Sequence, residues 1–157
     1  MKPGGQFKII AVTGAHTDVG KSSLARRLVS ILPGAVFIKI GHGKRKEGVN
    51  NIFYHTGTPF REIAGDNSGA PFLVIESNSI LKEVDPECVI YLPGPGRPKK
   101  SAELAMKKAD LVRGEFVTRE SAELLSRRLE VPEDTVIDII NAAGAVPPGV
   151  EQRRSES

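Results

Sequence analysis

Apolar residues fall along the chain in short continuous runs separated by helical patterns, and this order predicts strands alternating with helices. Phe7-Lys8-Ile9-Ile10-Ala11-Val12 reads as a first buried strand, followed by a helix with Leu24, Ala25, Leu28, Ile31 and Leu32 on one face. Leu32-Pro33-Gly34 stops that helix, and residues 35–40 form a second strand. Residues 41–70 are polar and glycine-containing, with a single short helix expected near 58–64. Further strands are expected at 71–76, 88–92 and 109–113, the last after a helix at 101–108. Thr118 can cap a helix through Leu129, with Glu120 in its first turn and Arg127 and Arg128 in its last, as the helix dipole favours. Pro132 opens another helix, with Val136, Ile137 and Ile140 facing the core. Because the strand runs are continuous and do not alternate, they suit a mostly parallel sheet buried by helices on both faces, a three-layer α/β fold.

Composition narrows this picture. The 157 residues, 39% hydrophobic and 26% charged, fit one globular domain over 1–148, with a polar, Gly- and Pro-containing tail at 149–157 expected to be disordered. The single Cys88 lies inside an apolar strand run and reads as a core residue, which together with the absence of a signal-peptide core points to the cytoplasm. No apolar run reaches membrane-spanning length, so no membrane association is expected. With 22 Lys and Arg against 19 Asp and Glu, a net charge of +3 gives no reason to expect nucleic acid.

The chemistry concentrates between the first strand and the first helix. Gly14, Ala15, His16, Thr17, Asp18, Val19, Gly20, Lys21, Ser22 and Ser23 read as a phosphate-binding loop in the required strand, glycine-loop, helix order. Such a loop turns backbone N–H groups inward at phosphate oxygens, and the new helix offers the same anion its unpaired amides. Lys21 would reach the β and γ phosphates, and the Ser22 hydroxyl would ligate Mg²⁺. GTP or ATP with Mg²⁺ is therefore the expected ligand. No Asn-Lys-x-Asp motif is present to read a guanine.

Other candidates follow from their places at strand ends. Glu76 ends an apolar strand, where a carboxylate can hold Mg²⁺ or orient an attacking group beside Lys21; alternatively it begins a short helix over 77–84. Gly41-His42-Gly43-Lys44-Arg45-Lys46 follows the second strand, and its cations suit an anionic small molecule or an acidic partner protein, unless it is a solvated loop. Lys39, His42, Lys44, Arg45, Lys46 and Arg97 are the candidate contacts to this second ligand. Residues 93–100, rich in Pro and Gly, form either a wall for the base or second substrate or a plain connector.

Either Ala15 fills the first glycine position of the usual four-residue spacing or five residues separate Gly14 from Gly20, and the longer spacing resembles the loop of dethiobiotin synthetase. In related ATPases that dimerise through a lysine finger, that lysine stands five residues before the loop lysine; here the place holds His16, so a homodimer is left open but not through such a finger. Over roughly residues 7–115, the loop, Lys39-Ile40-Gly41-His42 and Leu73-Val74-Ile75-Glu76 together resemble the MobB family. Family members have further histidines directly after Lys-His and a glycine after the glutamate, where this chain has Ile40-Gly41 between Lys39 and His42, and Ser77 after Glu76. The resemblance implies GTP binding with slow hydrolysis in support of molybdenum-cofactor maturation. Two other activities remain open: a small-molecule kinase or dethiobiotin-synthetase-like ligase, and a nucleotide-binding adaptor without meaningful turnover.

Overall fold

The computed structural model describes residues 7–16, 19–42 and 51–149. The chain runs β1 (Lys8–Gly14), α1 (Lys21–Ile31), β2 (Val36–Gly41), β3 (Ile52–His55), α2 (Phe60–Asp66), β4 (Phe72–Glu76), a 3₁₀ turn (Ser79–Lys82), β5 (Cys88–Leu92), α3 (Ala102–Lys108), β6 (Leu111–Val112), α4 (Arg119–Leu129) and α5 (Glu133–Ala143). The strands form one six-stranded sheet in the order β3-β2-β4-β1-β5-β6, and every pairing is parallel.

Strand β1 lies inside the sheet and explains why its sequence is a continuous apolar run. Successive side chains point to opposite faces: Ile10 and Val12 join Leu24, Leu28, Leu125, Leu129, Ile139 and Ile140 under α1, α4 and α5. Ile9 and Ala11 join Phe60, Ile63, Ile80 and Ala105 under α2, the 3₁₀ turn and α3. The result is a three-layer α/β architecture with a core on each side of the sheet. None of the described helices is long and apolar enough to cross a membrane.

Several expectations shift in detail. Strand β3 occupies part of the stretch expected to hold only a helix. It is an edge strand paired with β2 alone; its apolar run is only Ile52-Phe53-Tyr54, shorter than those of the inner strands, and Ile52 is 40% exposed. The expected 77–84 helix shrinks to the 3₁₀ turn. On α5, Val136 and Ile140 are fully buried as expected, Ile139 joins them, and Ile137 is only partly buried. Residues 150–157 of the expected tail lie outside the described residues.

The parallel order brings the carboxyl ends of β1, β2 and β4 side by side. Val12 pairs with Glu76, and Glu76 pairs in turn with Lys39. Ligands of open parallel sheets gather at this edge.

Candidate functional site

The turn from β1 into α1 is shaped by two glycines. At Gly14 an added Cβ would lie 2.5 Å from Val19 Cγ2 and 3.3 Å from Leu92 O, so no side chain fits while the loop folds back on itself. Gly20 sits at φ 92°, in the left-handed region that glycine adopts without steric cost, and it starts α1. No side chain caps this helix and no acidic residue occupies its first turn. Its first amides and the positive end of its dipole are therefore available to an anion. Thr17 and Asp18 lie outside the described residues.

Asn78 fixes the start of the loop from the neighbouring strand end. Its Oδ1 accepts from Gly14 N and its Nδ2 donates to Gly14 O, both at 3.0 Å, so one amide brackets one peptide. Arg113 holds the far side: Nη1 donates to Val19 O at 3.0 Å, while Nε donates to Ala143 O at the end of α5. His16 Nε2 donates to Pro95 O at 2.7 Å, and Lys99 N donates to Ala15 O at 3.1 Å. The 93–100 segment is thus docked on the glycine loop. Lys99 within it and Ser101 just after it border the cleft that holds Lys21.

Behind the loop, Lys21 is buried at 9% exposure and Glu76 at 5%. Ser22 Oγ donates to Glu76 Oε1 at 2.6 Å, and Lys39 Nζ stands 3.5 Å from Glu76 Oε2. Burial lowers the Lys21 pKa below the ordinary lysine value, Lys99 and Lys39 push it the same way, and Glu76 opposes them. A buried cation facing two others is poised to gain from an arriving anion.

These groups line one cleft of about 670 Å³, which also includes Ser23, Gly41, His42, Thr56, Ser77, Asn78, Ser79, Lys99 and Ser101. The structure therefore brings together Gly20, Lys21, Ser22, Ser23, Lys39, His42 and Glu76 of the expected site. Gly14, Ala15, His16 and Val19 form the loop beside it, with Ala15 buried in the core. Arg97 is exposed and is not among the cleft residues; Lys99, two positions on, occupies the place expected of it. Prolines and glycines before it kept the register of this loop out of reach of the sequence. Lys44, Arg45 and Lys46 lie outside the described residues.

A divalent cation bound through Ser22 and Glu76 would have oxygen donors only, one hydroxyl and one carboxylate, leaving room for water and phosphate oxygens. That donor set suits Mg²⁺, which keeps several waters and takes few protein ligands. Among the described residues no three His, Cys, Asp or Glu side chains gather as a metal cluster of their own. Cys88 is fully buried in β5 and burial pushes its thiol pKa up, as fits a core residue. No protein-family model matches the sequence, and no curated protein matches it significantly.

Proposed function

We propose that this chain binds a nucleoside triphosphate, GTP or ATP, with Mg²⁺ in the cleft at the carboxyl edge of its sheet and hydrolyses it slowly. The observation that carries this reading is the joining of Lys21, at the uncapped start of α1, to the Ser22–Glu76 pair across the ends of β1 and β4. The α1 amides and Lys21 take the phosphates, and the loss of negative potential at the bound triphosphate favours its cleavage. Ser22 and Glu76 hold the cation, which supplies charge neutralisation to the transferring phosphoryl group. Lys39 keeps the Glu76 carboxylate oriented toward the cleft. The MobB resemblance of the loop and strand ends supports a role for this turnover in cofactor maturation.

Thermal denaturation with and without nucleotide and Mg²⁺ tests the reading. At about 100 times the dissociation constant, binding stabilises the folded state by about 2.7 kcal/mol, roughly 5–11 °C in Tm for a domain of this size. Lys21→Ala is expected to remove most of that shift. Equal shifts in both proteins would overturn the assignment.

A further inference from the structure

Cations outnumber carboxylates in the cleft. Lys21, Lys39 and Lys99 all line it, while Glu76 is its one acidic side chain among the described residues and already meets Ser22 and Lys39. Gathering like charges without matching counter-charge costs free energy, so the arrangement suits a polyanion with more charge than Lys21 alone can answer. Lys21 belongs to the glycine loop and Lys39 faces Glu76, which leaves the role of Lys99 to be explained.

The segment that carries Lys99 is tied down at three points, one of them its own backbone. Lys99 N donates to Ala15 O. Ser101 Oγ accepts from Asn78 Nδ2 at 3.3 Å, the same amide that brackets Gly14. Earlier in the segment, Pro95 O accepts from His16 Nε2. Lys99 thus presents an exposed, flexible ammonium from a backbone fixed to the phosphate loop. Lys99 lines the same cleft as Lys21, and its charge opposes the protonated form of that lysine.

We propose that Lys99 is a second phosphate-directed lysine, contacting the terminal phosphoryl group of the bound triphosphate from within the same chain. The proposal rests on the nucleotide reading above and assigns its reacting end. In hydrolysis the bond from the terminal phosphorus to the bridging oxygen breaks, and its electron pair leaves on the diphosphate. A water oxygen forms the new bond to phosphorus, and one proton passes to solvent. Negative charge is spread over the terminal and bridging oxygens in that transition state, and a cation directed at them lowers the barrier. With Lys99 supplying it in cis, the site needs no partner to complete it.

The test uses the full chain with Lys99→Met, which keeps the stem and removes the charge, and Lys99→Arg, which restores a cation. Affinities are measured for a non-hydrolysable triphosphate analogue and for the matching diphosphate, alongside the hydrolysis rate. Lys99→Met is expected to weaken the triphosphate analogue by about tenfold or more, the size of one charge-assisted hydrogen bond, and the diphosphate by less than about threefold. Hydrolysis should fall by about a hundredfold, and Lys99→Arg should recover most of both losses. A triphosphate-to-diphosphate affinity ratio in Lys99→Met equal to that of the wild type overturns the proposal, whether both affinities fall or neither does. A wild-type protein that binds neither nucleotide overturns the nucleotide reading, and the role of Lys99 with it.

Discussion

Glu76 carries two contacts of opposite character, a hydroxyl donor on one oxygen and an ammonium on the other, and both matter to what the carboxylate does. Replacing it by Gln keeps the shape while removing the charge that would hold a cation and balance Lys39. The effect should fall on the transition state more than on the ground state, because the developing charge of phosphoryl transfer is where positioned electrostatics act. Glu76→Gln is expected to lower hydrolysis by about a hundredfold and to raise the Mg²⁺ concentration needed for half-maximal rate, with nucleotide affinity held within about threefold. Steady-state rates across a Mg²⁺ series decide it; unchanged hydrolysis at limiting Mg²⁺ would leave Glu76 only the role of ending β4. Lys21, Ser22 and Glu76 were legible in the sequence because a strand end and a glycine loop dictate where they stand. Asn78, Lys99 and Arg113 were not. They act through bonds to backbone groups far away in the chain, 64 positions for Asn78 and 94 for Arg113, and no local spacing encodes such a partner.

At the scale of elements, the inner strands read clearly, and of the two edge strands β6 falls within its expected stretch while β3 was missed. Strand β5 matches its expected bounds because Cys88-Val89-Ile90-Tyr91-Leu92 is buried throughout. Strand β3 has exposed ends and is only half-buried between them, and four such residues next to Thr56-Gly57 carry too weak a signal. Helix α4 was predicted from its cap, and the cap is made: Thr118 Oγ1 accepts from Ser121 N at 3.1 Å. Neither Thr118 nor Ser121 lines the cleft, so this bond can separate stability from function. Thr118→Ala should cost about 1 kcal/mol of folding stability, read from the denaturation midpoint, and leave nucleotide affinity unchanged. A fall in affinity as large as the fall in stability would mean that α4 is coupled to the site, a link that the α4–α5 packing and the Arg113 bond to Ala143 would then have to carry.

At the scale of the whole molecule, the cost of holding the site together in the ligand-free state is concentrated at Lys21. Burial, then Lys99, then Lys39 lower its pKa in the fold, against the single opposing influence of Glu76. The unfolded chain therefore binds a proton at this lysine more readily than the folded chain does. In the pH range below the ordinary value of 10.5, where the unfolded lysine is charged and the folded one is losing its proton, stability must rise with pH. Below the folded pKa the charge is present in both states, and there the penalty is fully felt. Lys21→Met removes the charge and retains an apolar stem, so the ligand-free variant should be more stable than the wild type near neutrality. That advantage should shrink as pH rises toward 10.5. Saturating triphosphate should reverse the order, because the wild type gains a counter-charge that the variant cannot use. Melting curves of both proteins at neutral and alkaline pH, with and without nucleotide, test both signs. If ligand-free Lys21→Met melts well below the wild type at neutral pH, the Lys21–Glu76 attraction outweighs desolvation, and the site stabilises the fold on its own account. If the order instead reverses with nucleotide, the sheet edge is held in a state that costs stability until a polyanion arrives, as expected where function and stability compete for the same residue.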